Sequence, residues 1–231
     1  MHKNFIKLIS KNFLSIFKYL LDFNKMIKNN ENGYSYIRNI ILKFNKQLKL
    51  DIEIIGEENI PKENFIIYSN HRGLYDPLII STFIKNNLSF VMKSNLSKNF
   101  FINKIGLLTN SEYFERNPKD DLKTIVKMFN CSKNGTNYLI FPEGTRNQSD
   151  NLLDFKSGSF KIPLKSKCDI VPICIYNTEY ILDKKSKNKP KIYISFLPNL
   201  KYEDYKDLKS NVISKIVKNQ IQMEFDKLKK L

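Results

Sequence analysis

Residues 65–77 read FIIYSNHRGLYDP, and along this stretch an apolar strand, a polar loop and the start of a helix follow one another. Phe65–Ser69 contains the aromatic and β-branched residues that favour strands. Pro77 suits the first turn of a helix, where backbone N–H groups have no helical partner in any case. His71 and Asp76 lie between the two elements, at the end of a strand, where ligands bind in α/β sheets. The stretch therefore predicts an α/β fold with a candidate site in this loop.

Outward from this stretch, short apolar runs alternate with helical patterns. We predict strands at Leu50–Ile55, Phe65–Ser69, Ser89–Met92, Tyr138–Phe141, Ile170–Ile175 and Lys191–Phe196. We predict helices at about 77–86, 119–131 and 205–229. Strands interleaved with helices indicate a single α/β domain, in which helices flank a mixed, largely parallel sheet. We place this domain at residues 49–231.

Residues 1–48 have a different pattern, which predicts an amphipathic two-helix segment. Apolar residues recur at spacings of three and four within residues 3–28, at Phe5, Ile9, Phe13, Ile16, Leu20 and Phe23. A second helical pattern runs from Ile37 to Leu48. Such a hairpin can pack on the main domain, or it can lie in a membrane interface with its lysines on anionic headgroups, and one helix pair can do both. We predict that residues 1–48 form a helical hairpin and a membrane-surface anchor.

Charge narrows the partners of the chain. Its 231 residues include 39 Lys and Arg against 23 Asp and Glu, a formal net charge of +16. A surface this basic attracts phospholipid headgroups, acidic proteins, phosphorylated ligands or nucleic acid. No nucleic-acid-binding motif is recognisable and the lysines are spread along the chain, so we expect no nucleic-acid partner. No stretch has the roughly 18 consecutive apolar residues that a spanning helix requires, so we expect no such helix. We expect the protein to be associated with the cytoplasmic face of a membrane.

Cysteine and histidine usage argues against a metal site. Cys131, Cys168 and Cys174 are odd in number and lack the paired spacing of a zinc site. The chain has two histidines, His2 and His71. We therefore expect free thiols in a reducing compartment and no bound metal.

His71 and Asp76 are the candidate catalytic pair. A tight turn through Gly73 would bring the carboxylate back to the imidazole, where it would hold one ring nitrogen and leave the other basic. Two other interpretations stay open at this point. Asp76 is also placed to cap the helix, and His71 is also compatible with a turn residue bonded to the backbone.

Three further blocks carry candidate functional groups. Phe141–Arg146, FPEGTR, follows a predicted strand, and its Arg could grip phosphate through a planar fork, although an internal Glu–Arg pair would explain it as well. Lys156 belongs to another turn shortly after it. Tyr113–Arg116 precedes a helical pattern and could equally be a surface ion pair. Ile170–Ile175 is an apolar strand that contains a proline.

In this order, the four blocks resemble the glycerophospholipid acyltransferase family, in particular the 1-acylglycerol-3-phosphate acyltransferases. Members carry Asn-His-x4-Asp, then a block that ends in an apolar residue, an acidic or polar residue and Arg, then Phe-Pro-Glu-Gly-Thr-Arg and a Val-Pro strand. With flanking features, the resemblance covers about residues 50–200. One position departs from the pattern, because family members often have Ser where this chain has Gly73.

The resemblance implies transfer of a fatty acyl group from acyl-CoA or acyl carrier protein to the free hydroxyl of 1-acylglycerol 3-phosphate (lysophosphatidic acid), which makes phosphatidic acid in phospholipid biosynthesis. The expected partners are this lipid, the thioester donor and anionic membrane lipids. The thioester is a co-substrate, and no cofactor is implied. Glycerol 3-phosphate or another lysolipid is an alternative acceptor. A non-catalytic membrane lipid-binding protein is the alternative from a different class, and the intact His71 and Asp76 argue against it.

The resemblance also assigns roles to residues. His71 would be the general base and Asp76 its orienting partner. The phosphate of the acceptor would be bound by Arg116, Glu143, Gly144, Thr145 and Arg146. Glu143 would orient Arg146 or bond a glycerol hydroxyl, since a carboxylate does not favour phosphate. Further substrate contacts would come from Asn70, Arg72, Gly73, Lys93 and Lys156.

Overall fold

The structure, a computed structural model, describes residues 13–29, 33–115, 117–183 and 190–231. The strands are β1 (Ile52–Ile55), β2 (Phe65–Ser69), β3 (Leu88–Lys93), β4 (Glu112–Phe114), β5 (Asn137–Ile140), β6 (Asp169–Tyr176) and β7 (Ile192–Phe196). The helices are α1 (Phe13–Lys28), α2 (Tyr34–Leu48), α3 (Asp76–Ser81), α4 (Phe100–Leu108), α5 (Pro118–Lys133), α6 (Lys161–Ser166), α7 (Tyr202–Tyr205) and α8 (Ser210–Leu228). None of the helices described is long and apolar enough to cross a membrane.

The strands form one mixed sheet in the order β1-β7-β6-β2-β5-β3-β4. Every neighbouring pair is parallel except β6 and β7, which are antiparallel. The strands from β6 to β4 therefore all point the same way, and their carboxyl ends share one edge. The predicted fold class, a single α/β domain with a mixed, largely parallel sheet and helices on its flanks, is confirmed.

The sheet separates two apolar cores because side chains alternate between its faces along each strand. In β2, Phe65 and Ile67 pack on the side that carries α2 and α3. Ile66 and Tyr68 pack on the opposite side, where α8 lies. All of β2 is buried, so the candidate loop starts from a strand that is fixed on both faces.

The second N-terminal helix is packed on the domain. Tyr34 is buried, and its hydroxyl donates to the carbonyl oxygens of Ser81 and Ile84, both at 2.9 Å, at the end of α3. Ile37 and Ile41 are buried in the same core as the β2 side chains. This helix therefore packs on the main domain. The role of residues 1–48 as a membrane anchor and the domain boundary between residues 48 and 49 stay predictions. The predicted helical residues 3–12 lie outside the described residues.

Two elements at the β3 side were not predicted. Helix α4 reads FFINKIGLL, which is too uniformly apolar to show a helical period. Strand β4 has only three residues, paired along the edge strand β3. The block around Tyr113 begins in this edge strand and, as predicted, precedes a helix, which is α5. Helix α3 is also shorter than the predicted 77–86 and ends at Ser81.

Candidate active site

The carboxyl ends of the parallel strands bring the sequence motifs together. Strands β6, β2 and β5 are neighbours in the sheet. The loop that follows β2 carries His71, the loop that follows β5 begins at Phe141, and the turn Thr178–Tyr180 follows β6. Residues that are distant along the chain therefore meet at one edge, as ligand sites in α/β sheets do.

His71 and Asp76 form a hydrogen-bonded pair. The His71 Nδ1 and Asp76 Oδ2 atoms are 2.7 Å apart. The same oxygen accepts from the backbone N–H groups of Arg72 at 2.6 Å and Gly73 at 2.8 Å. The Asp76 side chain is fully buried, whereas that of His71 is 20% exposed and its ring stacks on Phe141 with centroids 4.2 Å apart. An Nδ1–H donated to Asp76 leaves Nε2 unprotonated and able to act as a base.

The loop geometry decides between the earlier interpretations of Asp76. Its carboxylate bonds to loop residues that precede α3, and the residue at the helix N-cap, Tyr75, makes no side-chain capping bond. Asp76 therefore holds the loop and the imidazole together instead of capping the helix.

Gly73 allows a close approach at this loop. A Cβ atom on Gly73 would lie 3.1 Å from the Glu179 Cα, 3.1 Å from the Thr178 carbonyl oxygen and 3.3 Å from Asp76 Oδ1. These distances are tighter than ordinary contacts, so a serine here would need its neighbours to shift. The departure from the family pattern at this position accompanies a turn, at residues 178 and 179, that packs directly against the His71 loop.

Glu143 is buried and links the two motif loops. Its Oε1 accepts from the His71 backbone N–H at 3.0 Å. Its Oε2 accepts from the Leu153 backbone N–H at 2.9 Å and the Asn147 side-chain amide at 3.1 Å. The Asn147 backbone N–H returns a bond to the His71 carbonyl oxygen at 2.7 Å. Both carboxylate oxygens are thus engaged by the protein, and a contact with substrate phosphate stays a prediction.

The phosphate-binding candidates of the second loop are exposed. Gly144, Thr145 and Arg146 all lie on the surface after β5. Gly144 has a positive φ of 69°, and a Cβ there would lie only 2.7 Å from the Lys156 ammonium nitrogen. The exposed Lys156 cation therefore lies directly over the motif turn, and the exposed Arg146 follows two residues after Gly144 in the same loop. Two cations beside one turn form a suitable setting for an anionic group.

A cleft of about 470 Å³ adjoins the His71 loop. Its lining includes Gly73, Tyr75, Arg146, Tyr176 and Glu179, but not His71. Burial raises the pKa of Tyr75 far above its usual range, and its hydroxyl donates to Asn45 Oδ1 at 2.8 Å. Two cations, Arg72 and Arg146, therefore line the cleft, which lies beside the His71 loop rather than around the imidazole.

Two of the predicted substrate contacts are held by protein partners. The buried Asn70 amide donates to the Ile175 carbonyl oxygen and accepts from the Ile175 N–H, both at 2.9 Å, which continues the sheet beyond the last residue of β2. The buried Arg72 guanidinium pairs with Glu179 and donates to the Ser149 carbonyl oxygen at 2.7 Å. Their contact with substrate stays a prediction.

The remaining candidates lie further along the edge. Lys93 is the exposed last residue of β3, and Arg116 lies outside the described residues. No three His, Cys, Asp or Glu side chains among the residues that the structure describes are placed to hold a metal ion. The expectation of no metal and no cofactor stays a prediction.

Sequence reasoning missed Glu179, Asn147 and Ser149. Glu179 follows β6 in a short turn, and no motif or local pattern marks it. Its partner lies 107 residues earlier in the chain, so only the fold brings the two together. Asn147 directly follows the FPEGTR block, which is the one local signal that could have pointed to it.

Comparison with known proteins identifies relatives. A profile of the acyltransferase family matches residues 51–176. A 1-acyl-sn-glycerol-3-phosphate acyltransferase of Borreliella burgdorferi is 28% identical over 184 residues, which are 78% of this chain and 74% of that protein. One from Saccharomyces cerevisiae is 29% identical over 142 residues, and one described as probable from Mycoplasma pneumoniae is 30% identical over 142 residues. The matched regions cover only 47% and 53% of those two proteins.

A solved structure shares the fold. The crystal structure of the 1-acyl-sn-glycerophosphate (LPA) acyltransferase PlsC from Thermotoga maritima aligns with a TM-score of 0.76 at 23% identity. The alignment covers 96% of this chain and 92% of that one. At this level of identity the likeness supports the architecture alone.

Proposed function

The chain belongs to the acyltransferase family, and on that premise we propose that it moves a fatty acyl group from a thioester to the free hydroxyl of 1-acylglycerol 3-phosphate. The product is phosphatidic acid. The observation that carries the proposal is the His71–Asp76 hydrogen bond of 2.7 Å at the edge where the motif loops meet. The names of the matched relatives support the choice of acceptor.

The pair performs general base catalysis. His71 Nε2 takes the proton of the acceptor hydroxyl while the oxygen attacks the thioester carbonyl carbon. An ester C–O bond forms, the C–S bond breaks, and the imidazolium returns the proton to the leaving thiolate. Asp76 holds the ring and stabilises its charged form, as the carboxylate of a catalytic triad does. The donor is acyl-CoA or acyl carrier protein.

The phosphate of the acceptor is the handle that positions its hydroxyl. Lys156 lies over the turn at Gly144, Arg146 follows two residues later in the same exposed loop, and Arg116 is proposed as a third phosphate-binding cation. Glu143 supports these groups indirectly, because its carboxylate ties the turn to the His71 backbone at 3.0 Å. Binding energy at the phosphate is thereby used to align the reacting atoms.

Product identification tests the proposal. The purified chain is supplied with acyl-CoA or acyl carrier protein thioester and with 1-acylglycerol 3-phosphate, glycerol 3-phosphate or another lysolipid, and products are identified by mass spectrometry. We expect phosphatidic acid from the first acceptor. We expect His71→Ala to abolish transfer without unfolding the chain. Lipid binding without any acylated product would instead favour a non-catalytic lipid-binding protein.

A second variant tests the phosphate role. Arg146→Ala should mainly raise the KM for the phosphorylated acceptor and leave the KM for the donor unchanged. Thr124→Ala, a threonine on α5 with hydroxyl contacts to its own helix and to β4, serves as a control. An acceptor KM equal to that of the wild type in Arg146→Ala would remove Arg146 from phosphate binding.

We infer that the enzyme works on an anionic membrane surface, on its cytoplasmic face. Phe100 and Leu107 are 55% and 51% exposed, and seven residues apart they share one face of α4. Helix α1, where Leu21 is 56% exposed, packs against α4, and Lys104 donates to Asn24 across that contact at 2.7 Å. Residues 93–110 contain lysines and no acidic residue. Apolar groups beside cations favour an interfacial location.

Vesicle binding tests this inference. The double variant Phe100→Asp with Leu107→Asp should bind vesicles of phosphatidylglycerol and phosphatidylcholine at least about tenfold more weakly, because each large apolar side chain contributes about 1.5–3 kcal/mol when fully buried. Met223→Asp changes a side chain on α8 that is 73% exposed and serves as the control. Equal binding of the double variant and the control would refute the lipid contact.

A further inference from the structure

The Arg72 side chain is enclosed by protein groups beside the catalytic loop. Its Nε donates to Glu179 Oε2 at 3.2 Å, its Nη2 donates to Glu179 Oε1, and its Nη1 donates to the Ser149 carbonyl oxygen at 2.7 Å. The guanidinium carbon lies 5.1 Å from the centroid of the Phe225 ring. The Arg72 and Glu179 side chains are only 6% and 8% exposed. The guanidinium and the carboxylate are thus largely shielded from water and are joined by two hydrogen bonds.

This pair is joined to the reacting imidazole by a short series of hydrogen bonds. The backbone N–H of Arg72 donates to Asp76 Oδ2 at 2.6 Å, and that oxygen is 2.7 Å from His71 Nδ1. The main chain of residue 72 therefore helps to determine where the carboxylate lies. Glu179 also touches the loop directly, because its Cα would be 3.1 Å from a Cβ on Gly73.

A contact between Arg72 and substrate fits these observations less well. The guanidinium already meets a carboxylate on two nitrogens and a carbonyl oxygen on the third. Both side chains line the cleft, but a substrate phosphate would have to displace the Glu179 carboxylate from the guanidinium. Burial of an ion pair is weak evidence for stability alone, because apolar side chains of similar volume often serve that purpose as well.

We propose that Glu179 is a positioning residue that, through Arg72, holds the Asp76 carboxylate in line with His71. The proposal rests on the acyl transfer proposed above. Without the Glu179 carboxylate, the Arg72 side chain loses its partner, the main chain at residues 72 and 73 relaxes, and the His71–Asp76 bond lengthens. The substrates still bind, but proton removal becomes inefficient.

Kinetics of Glu179→Gln test the proposal. We expect kcat to fall about ten- to hundredfold, as displacements of about 1 Å at a reacting group do, with the KM values for acceptor and donor unchanged. Glu224→Gln is the matched control, since that carboxylate is also mostly buried, at 12% exposure, and accepts from Ser195 on β7 and from Lys227 on its own helix, α8. It should keep the wild-type kcat.

A spectroscopic readout separates positioning from stability. The chain has two histidines, so the downfield proton resonance of His71 Nδ1–H can be assigned through its loss in His71→Ala. We expect this resonance in the wild type and its broadening or loss in folded Glu179→Gln. Because no substrate is needed, this measurement stays informative even if none of the acceptors is acylated, which is the outcome that would defeat the proposed function.

Several outcomes would overturn the proposal. Wild-type kcat and resonance in folded Glu179→Gln would do so, and so would a raised acceptor KM at unchanged kcat, which would make Arg72 a substrate contact. If Glu179→Gln yields no folded protein, Glu179→Asp replaces it. That variant keeps the charge but shortens the side chain, so we expect a smaller fall in kcat, and wild-type behaviour there would equally contradict the role.

Discussion

Asp76 receives three hydrogen bonds on one carboxylate oxygen, and this explains the spacing of the motif. Oδ2 accepts from the imidazole and from the N–H groups of residues 72 and 73. Such a turn needs several residues between His71 and the first residue of the helix. The motif spacing is therefore a requirement of the loop geometry, and the tautomer of His71 follows from it.

Asp76→Asn tests this carboxylate. We expect kcat to fall about 10²–10⁴-fold, because the amide no longer stabilises the imidazolium and can favour the wrong tautomer. The asparagine oxygen still accepts from the loop, so the fold and the KM should change little. Initial rates of thiol release measure the effect. Asp154→Asn, at a fully exposed carboxyl, is the control, and comparable rates in the two variants would exclude a catalytic role for Asp76.

Glu143 shows a role that motif matching alone does not define. Its carboxylate accepts from three N–H groups in two loops, so we expect Glu143→Gln to replace one acceptor by a donor and cost about 1–3 kcal/mol. For a chain of this size each kcal/mol lowers the Tm by about 2–4 °C, which calorimetry can measure. An unchanged Tm with a raised acceptor KM would instead assign Glu143 to the substrate.

The sequence predicted which residues belong to this site better than it predicted their hydrogen-bond partners. His71, Asp76 and Arg146 follow from motif order along the chain. Glu143 bonds to His71, which lies 72 positions earlier in the chain. Arg72 bonds to Glu179, which lies 107 positions later. No local pattern encodes such pairings, because they depend on which strand ends are neighbours in the sheet.

At the scale of elements, strands with a clear β pattern were predicted almost to the residue. Phe65–Ser69 matches β2, and Lys191–Phe196 differs from β7 by one residue. Helix α4 escaped prediction because its mostly apolar sequence shows no clear helical period, and strand β4 escaped prediction because it spans only three residues. Tertiary packing, rather than local preference, determines both.

The contact between helix α2 and the end of α3 contributes to the free energy of unfolding, and this contribution can be tested. Tyr34→Phe removes a buried hydroxyl that donates to two carbonyl oxygens at the end of α3, so we expect a loss of about 1–3 kcal/mol and a lower Tm. Tyr180→Phe, at a 39% exposed side chain, should leave the Tm unchanged. Equal melting of the wild type and Tyr34→Phe would mean that α2 is only loosely attached.

The packing of α2 also changes how the membrane anchor should be tested. Deleting residues 1–48 would remove Tyr34, Ile37 and Ile41 from the core, and large apolar side chains deleted from a core cost about 2–5 kcal/mol each. Weak lipid binding after such a truncation could then reflect unfolding. Substitutions of exposed side chains on α4 avoid that ambiguity.

At the scale of the whole molecule, the net charge of +16 predicts a salt-dependent encounter with anionic lipid. Raising the ionic strength from about 0.01 M to about 0.15 M shortens the Debye length from about 30 Å to about 8 Å. Each lysine near the surface contributes about 1 kcal/mol at most under favourable conditions, and this contribution decreases with screening. Binding to vesicles with anionic lipid should therefore fall steeply as salt is added.

The apolar contribution should behave differently in the same titration. Phe100→Asp with Leu107→Asp should lower binding at every salt concentration, whereas Lys25→Gln with Lys28→Gln, at the end of α1, should mainly reduce the slope. Vesicles of neutral lipid should bind weakly and show little salt dependence. Co-sedimentation across the salt series measures both effects. If neutral and anionic vesicles bound equally, the basic surface would have to act on another anion, such as the acidic carrier protein or the phosphorylated acceptor.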